Sequence, residues 1–318
     1  MKQLTLKMGK ILLGGLLIIA AIIFARLGLA GVQVAQAAVP HSWLGGREMG
    51  STTSLAILPL YEEAAVDDSF QSGHGVSYLI RTDAATILMD LGHNPNRTNP
   101  VPLLTNMGQA GISPDAADVL FISHNHPDHV GGLRPQPASF ATAGGQSVLD
   151  VETAYAPVEM GFIGLQAKVA ETPQVIAPGV ATLGRMPFVQ PFPFWLWQPL
   201  GYEQVLAINV AGRGIVLITG CGHPTLERIV AQAEALFAEP VVGIVGGLHY
   251  EGLTAAELAL HVQFLAERDP QLVALSPHDD GPAAIDAFQR AFPAAYRHIR
   301  VGEAIQFDAA AVVNTNSQ

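Results

Sequence analysis

The sequence predicts an α/β protein built from layers of sheet and helix, preceded by an apolar N-terminal helix. Three observations predict this class. Apolar runs in the second half alternate with helical stretches, which is typical of sheets covered by helices. The first half contains short strand-like runs bounded by turn residues. An uncharged apolar stretch, residues 11–24, follows a basic N-terminus.

The N-terminal segment has the layout of an export signal. Lys2, Lys7 and Lys10 precede the apolar stretch, and Ala35-Gln36-Ala37 offers a small-residue cleavage motif. The apolar character resumes after Arg26 and continues to about Ala38, so an uncleaved membrane anchor is equally compatible. Lysines on the N-terminal side predict that the remainder is exported, either periplasmic or held outside the inner membrane. We therefore divide the chain into residues 1–38, signal or anchor, and residues 39–318, one folded domain.

Composition restricts the partners of the folded domain. The chain has 318 residues, of which 49% are hydrophobic and 14% charged, so it can bury a large core. Without residues 1–37 it carries 12 basic and 27 acidic residues, a formal charge of −15. Such a surface repels nucleic acid and favours a small-molecule substrate. Cys221 is the only cysteine, which excludes a disulfide framework.

The first half reads as strands, one helix and a loop rich in histidine. The predicted elements are strands at 55–58, 76–80, 86–89 and 119–122 and a helix at 102–110. Residues 134–200 are rich in Pro and Gly and supply the pocket walls in this interpretation. Within them, the aromatic stretch 188–197 either roofs a pocket or packs on a sheet.

The second half repeats one pattern, in which a strand ends near a histidine and a helix follows. The strands are predicted at 215–218, 241–245 and 272–275, and the histidines are His223, His249 and His278. The helices are predicted from Pro224 to about Phe237, from a capping box at Thr254 and Glu257, and around 283–292. Ligands gather beyond the carboxyl ends of such strands, so these histidines form a candidate site.

The segment Ser123–His129, with sequence SHNHPDH, predicts a metal site directly after a buried strand. His124 and His126 project to the same side of extended backbone. Imidazole and carboxylate ligands suit Zn²⁺ best, with Fe or Mn as alternatives. We expect two divalent ions, the first held by His124, His126 and His223, the second by Asp128, His129 and His278. Two cations would lower the pKa of a bridging water to near neutrality, which gives a hydroxide nucleophile. Asp128 is expected to belong to this catalytic centre.

His249 remains outside these two sets of ligands. It is a packing residue, a substrate contact, or the acid that protonates the leaving group.

The motif His124-Asn125-His126-Pro127-Asp128-His129 resembles the HxHxDH signature of the metallo-β-lactamase superfamily. The match is closer to the branch that contains archaeal dihydropterin–ribofuranosylaminobenzene phosphate synthase and its bacterial relatives. The segments that carry it are residues 74–75, 88–92, 123–133, 179–187, 203–204, 219–223, 246–249 and 277–278. The resemblance implies an αββα sandwich, in which two mixed β-sheets are flanked by helices and the metals lie at one edge.

The resemblance also assigns roles near the metals, with three departures. Asp90 corresponds to the carboxylate that orients the metal loop by hydrogen bonding. The role of His74 is left open by its own position, as either a substrate contact or a cap of the strand turn. Cys221 stands where many superfamily hydrolases have a bridging Asp, so the bridge is water alone, or Cys221 is a soft ligand or simply a buried apolar residue. Asp279 and Asp280 replace the Cys-Thr that usually follows the last histidine, and they either orient ligands or add an oxygen ligand. Export is unusual for a synthase with cytosolic substrates.

The leading hypothesis is a binuclear metal-dependent hydrolase that cleaves an ester, lactone, amide or phosphoester bond. A synthase or transferase similar to the archaeal enzyme is the second hypothesis. A non-catalytic metal-binding sensor on the membrane is the third.

Overall fold

The structure, a computed structural model, describes residues 2–37, 49–132, 151, 153–162 and 165–310. The predicted pocket walls at 134–150 lie outside the described residues. The chain divides into two compact units, one formed by residues 1–38 and 186–202 and the other by residues 39–185 and 203–318.

Within the described residues, strands predominate up to β12, and helices and strands alternate from β12 to β15. The helices are α1 (Lys2–Gln36), α2 (Pro102–Gln109), α3 (Leu226–Leu236), α4 (Ala255–Ala266) and α5 (Pro277–Ala291). The strands are β1 (Leu55–Tyr61), β2 (Ser77–Thr82), β3 (Thr86–Met89), β4 (Val119–Phe121), β5 (Thr153–Ala156), β6 (Gly161–Phe162), β7 (Leu165–Gln166), β8 (Lys168–Val169), β9 (Gln174–Ala177), β10 (Val180–Val189), β11 (Leu200–Val210), β12 (Gly214–Ile218), β13 (Val241–Gly246), β14 (Leu272–Leu275) and β15 (Ile305–Gln306).

Two mixed sheets organise these strands. The first has the order β15-β1-β2-β3-β4-β5-β8, and the second has the order β14-β13-β12-β11-β10-β9; β6 and β7 form a separate hairpin. Strands β3, β4, β5 and β8 are parallel, as are β12, β13 and β14, whereas β1–β2, β2–β3 and β11–β12 are antiparallel pairs. The predicted α/β fold with two mixed sheets and an apolar N-terminal helix is confirmed.

The core lies between the sheets because alternate residues of each strand face inward. Tyr78 and Phe121 of the first sheet belong to one apolar cluster with Leu206 and Val216 of the second. The opposite face of the first sheet, including Leu79, belongs to a second apolar cluster that contains residues of α2. Successive residues of a strand thus enter different apolar clusters, which is the pattern of a sheet that is covered on both faces.

The helices differ from the sequence predictions mainly at their first residues. The capping box of α4 is present, since the Thr254 hydroxyl accepts the Glu257 N–H and the Glu257 carboxylate accepts the Thr254 N–H. Helix α3 begins at Leu226 rather than at Pro224. Helix α5 begins at Pro277 rather than near residue 283, and it breaks at Gly281, whose φ is 68°. His278 therefore lies in a first helical turn, and Pro282 restarts the helix after the break.

Helix α1 is long and apolar enough to cross a membrane. The span Leu12–Gln36 has 25 residues and a mean hydropathy of 2.4, and none of the residues in its most apolar window is buried. Length and composition of this kind are shared by signal sequences and membrane anchors.

We predict that Phe121→Ala strongly destabilises the fold. Phe121 is fully buried between the sheets, and truncation there should cost about 3–5 kcal/mol through lost burial and a cavity. Urea unfolding of the full chain in mild detergent measures this cost. The control is Leu260→Ala, since Leu260 is 67% exposed and should change stability by less than about 0.5 kcal/mol. Equal midpoints for the two variants would contradict the layered core.

Candidate metal centre

The candidate site forms where parallel strands from both sheets end. Asp90 follows β3, the 123–129 loop follows β4, and residues 220–223, 247–249 and 276–279 follow β12, β13 and β14. The loops from the two sheets approach closely at Gly220. A Cβ atom there would lie 2.2 Å from the Ser123 Oγ atom, so only glycine permits this contact.

Three histidines predicted for the first metal converge on one point. The His126 Nδ1 atom lies 3.0 Å from the His124 Nε2 atom and 3.2 Å from the His223 Nε2 atom. Four-coordinate zinc binds nitrogen at about 2.0–2.1 Å, which separates neighbouring ligand atoms by about 3.3 Å. Both distances from His126 are close to the spacing of neighbouring ligand atoms on one such cation.

The second predicted set lies beside the first. The Asp128 Oδ2 atom is 3.1 Å from the His278 Nε2 atom and 3.9 Å from the His129 Nε2 atom. The Cys221 Sγ atom lies 3.1 Å from the His129 Nε2 atom. The same sulfur lies within 4.8 Å of ligand atoms of His124 and His223 and of His129 and His278. Cys221 is thus placed between the two sets.

Asp90 fixes the proton positions of two of these histidines. Its buried carboxylate contacts the Ser123 N–H at 2.7 Å, the Ser123 hydroxyl at 2.6 Å and the His129 Nδ1 atom at 2.7 Å. Because the Ser123 hydroxyl donates to Asp90, its oxygen accepts from His124 Nδ1 at 2.9 Å. Both rings are thereby turned with their Nε2 atoms toward the predicted metal positions.

Burial and charge set the protonation of the ligands. Burial, together with neighbouring imidazoles, lowers the pKa of His124 and of His223 well below the usual range, so both remain neutral. Burial opposes protonation of His129 as well, but Asp90, Asp128 and Glu203 outweigh it and raise its pKa to about 9. A cation at His129 would displace this proton, since metal ligands must be deprotonated.

Glu203, on β11, organises the loop that carries Cys221 and His223. One carboxylate oxygen accepts the N–H groups of Gly220, Cys221 and Gly222 at 2.9–3.2 Å, and the other accepts that of His223 at 2.9 Å. Burial raises the pKa of Glu203 to about 7 against these hydrogen bonds. Sequence reasoning assigned Glu203 no role, although a carboxylate inside an apolar strand is itself a signal of a paired, structured site.

Glu62 and Asp280 play similar parts; Glu62 was missed from the sequence, whereas Asp280 was expected either to orient ligands or to add an oxygen ligand. The Glu62 carboxylate, just after β1, accepts from the Tyr78 hydroxyl at 2.8 Å, from the Ser276 hydroxyl, and from the His278 N–H at 3.2 Å. The Asp280 carboxylate accepts the N–H groups that flank His249, at 2.9 and 3.3 Å. His249 is held in the left-handed region with a φ of 58°.

The remaining predicted residues line the rim of the site. His249 contacts Asp279 through its Nδ1 atom at 2.8 Å, and its ring lies 4.7 Å from the His223 ring. Asp279 therefore orients a rim histidine, and its second oxygen is buried without a hydrogen-bond partner. His74 lies 3.1 Å from Glu63 and 3.5 Å from Asp128, and its side chain is 63% exposed. Its ring also lies 4.0 Å from the His278 ring.

Comparison with known proteins agrees with this geometry. A family profile described as "Metallo-beta-lactamase superfamily" matches residues 72–143, which include the 123–129 loop. The curated 7,8-dihydropterin-6-methyl-4-(β-D-ribofuranosyl)-aminobenzene-5'-phosphate synthase of Methanocaldococcus jannaschii is 23% identical, over 81% of this chain and 99% of its own length.

Two solved structures share the fold. Tm1679, described as a metal-dependent hydrolase of the β-lactamase superfamily, superimposes with a TM-score of 0.58 at 22% identity, covering 80% of this chain and 99% of its own. YhfI from Bacillus subtilis, a metallo-β-lactamase fold protein, gives 0.52 at 13% identity, covering 80% and 100%. The fold and the motif together define a metallo-β-lactamase sandwich. The chain is similar to proteins of the metallo-β-lactamase superfamily in its fold and, over residues 72–143, in its sequence.

We predict that Asp90→Asn weakens metal binding about 10–100-fold, the range typical for residues that orient metal ligands. The amide cannot accept from all three donors, so His129 and Ser123 lose their fixed orientation. Equilibrium dialysis followed by metal analysis measures the affinity.

The matched control for Asp90→Asn is Asp118→Asn. Asp118 precedes the same strand β4, and its exposed carboxylate accepts the Thr86 N–H at 2.7 Å, far from the site. Its metal affinity should equal that of the wild type. Equal losses in both variants would show that general destabilisation, rather than ligand orientation, reduces binding.

Proposed function

We propose that the chain is a metal-dependent hydrolase that uses two divalent cations, Zn²⁺ in the first place and Fe or Mn as alternatives. The observation that supports it most directly is the position of the His126 Nδ1 atom, which lies 3.0 Å from the His124 Nε2 atom and 3.2 Å from the His223 Nε2 atom. The adjacent set of Asp128, His129 and His278 would hold the second cation.

The donor set and its surroundings are suited to this use. When bound, two cations supply Lewis acidity and a water activated near neutral pH. Asp90, Glu203 and Glu62 hold the ligand segments in place, so little reorganisation is needed on binding. His249 and His74 lie at the open rim, with side chains 50% and 63% exposed, where a substrate would enter.

The substrate class follows from the nature of the centre and the charge of the chain. Ester, lactone, amide and phosphoester bonds are all cleaved by an activated water beside a Lewis acid. The formal charge of −15 outside residues 1–37 disfavours nucleic acid, so we propose a small molecule. We also propose that α1 directs export, which places the folded domain in the periplasm or on the outer side of the inner membrane.

Metal removal tests the proposal. Purified full-length protein should contain two divalent ions per chain, and dialysis against a chelator should abolish hydrolysis in a screen of lactams, lactones, thioesters and phosphodiesters. His124→Ala should lose both metal and activity, because it removes a ligand of the first site. His298→Ala, an exposed histidine outside the site, should retain both. Full hydrolysis by metal-free protein would overturn the proposal, and metal without turnover of any substrate would favour the sensor hypothesis.

His249 is expected to donate the proton to the leaving group. His249→Ala should lower kcat about 10²-fold, within the range of general acid catalysis, while metal content stays unchanged. A substrate with a leaving group that needs no protonation should be far less affected. His261→Ala is the matched control, since His261 forms the same kind of pair with Glu227, at 2.6 Å. An unchanged kcat in His249→Ala would exclude the role of proton donor and leave packing or a substrate contact.

A synthase activity is the second candidate, supported by the printed activity of the archaeal relative, which matches 81% of this chain. Export and a scarcity of cations speak against it, because Lys168 is the single lysine after residue 38. The test is incubation with a dihydropterin donor and a ribofuranosylaminobenzene 5'-phosphate, followed by mass spectrometry of the coupled product. Metal-dependent coupling would support the synthase over the hydrolase.

A further inference from the structure

The unit formed by residues 1–38 and 186–202 carries an exposed aromatic segment, residues 189–198, that the hydrolase proposal does not use. No charged residue lies between Arg185 and Glu203. Within the segment, Phe192 and Trp197 are 72% and 69% exposed, and Val189 is 41% exposed. The sequence alternatives for this stretch were a pocket roof or packing on a sheet. Packing describes Phe188, which is buried, but not these exposed side chains.

The backbone of this aromatic segment has few free donors. The N–H groups of Trp195, Leu196, Trp197 and Gln198 donate to carbonyls of Pro191, Pro193 and Phe194 within the segment. Pro191, Pro193 and Pro199 have no N–H group, and the Gln190 N–H donates to the Pro199 carbonyl at 2.8 Å. Each paired N–H group lowers the cost of placing this turn at an apolar boundary, where water is scarce.

The segment is hydrogen-bonded to α1 at a defined point along that apolar helix. The Arg26 guanidinium donates to the Trp197 carbonyl at 2.6 Å. Arg26 is the single charged residue between Leu12 and Gln36. A charge in a membrane helix lies at the polar boundary or extends toward it, so Arg26 marks one face of the bilayer.

The spacing of charges along α1 supports this assignment. From residue 10 to Arg26 the helix rises about 24 Å, and the Arg26 side chain can extend outward toward the boundary of a hydrocarbon layer of about 30 Å. Trp197 is therefore bound at the level of the headgroups, where tryptophan is enriched in membrane proteins. Its ring combines an apolar body with a polar N–H, which suits this level.

We propose that residues 189–198 form a second membrane contact, which inserts into the headgroup boundary of the phospholipid bilayer spanned by α1. The segment is uncharged, so binding rests on apolar burial and does not require anionic lipid. Phe192 and Trp197 are the inserted side chains, and Arg26 holds the segment at that depth.

Tryptophan fluorescence tests the contact in the full chain. The chain has three tryptophans, Trp43, Trp195 and Trp197, so Trp43→Phe leaves only those of the segment. This variant is reconstituted in phosphatidylcholine vesicles that carry bromine either near the headgroups or deep in the acyl chains. We expect blue-shifted emission, quenching at least twofold stronger with shallow bromine than with deep bromine, and no change at high salt.

A control tryptophan elsewhere makes the test specific. In a chain with all three tryptophans changed to Phe, Leu260→Trp places one on the exposed face of α4. It should remain unquenched. Resistance to alkaline carbonate extraction verifies that α1 spans the vesicles. Three results would each overturn the proposal. They are an integrated chain in which the tryptophans of the segment are not quenched, a Leu260→Trp control that is quenched equally, and a chain that fails to integrate. Protection from bromine with self-association would instead assign the segment to a second copy.

Discussion

The site depends on the buried carboxylate of Asp90. It is fully buried and accepts two hydrogen bonds from Ser123, while its contact with His129 fixes one ring. Through the Ser123 hydroxyl it also fixes the ring of His124, so one side chain orients a histidine of each predicted metal set. An ionised carboxylate in an apolar interior is costly unless its oxygens are hydrogen-bonded, and here every donor belongs to the metal loop. The same hydrogen bonds therefore stabilise the loop and orient its ligands.

Three other buried carboxylates, those of Glu203, Glu62 and Asp280, are used in the same way around the site. Each is buried, and each accepts backbone N–H groups of a segment that carries a predicted ligand or His249. Burial raises the pKa of Glu203 to about 7 and also raises the pKa of Glu62 and of Asp280, which opposes their ionisation when no cation is near. Divalent cations nearby would favour the ionised carboxylates, so metal binding would stabilise the folded chain as well as supply chemistry. The donor hydrogen bonds keep the arrangement in place before any cation binds.

The sequence was sufficient for strands β1–β4 and β12–β14 and for helices α2 and α4, because their signals are local, whereas the individual strands β5–β11 were not assigned. The histidines do follow the predicted strands, and their role as metal ligands stays a prediction. The role of Asp90, at the end of β3, was implied by the family resemblance of residues 88–92. Glu203 and Glu62 were missed because their partners are distant in sequence: Glu62 binds the N–H of His278 across the chain. The start of α5 was misplaced because Pro282 is a plausible first helical residue. Pro277 is another, and the structure uses both on either side of Gly281.

Cys221 distinguishes two chemical versions of the centre. Burial and the surrounding carboxylates raise the pKa of its thiol well above the usual range, so the thiol stays protonated when no cation is near. A cation beside the sulfur inverts this preference, since a coordinating thiol is deprotonated. A soft thiolate ligand would favour Zn²⁺ over Mn²⁺, whereas a water bridge with a protonated thiol leaves the choice to imidazole and carboxylate. The two versions release different numbers of protons on loading, because only thiolate coordination adds the proton of Cys221 to that of His129. The choice of metal therefore depends on whether the Cys221 sulfur is a bound thiolate or a protonated thiol.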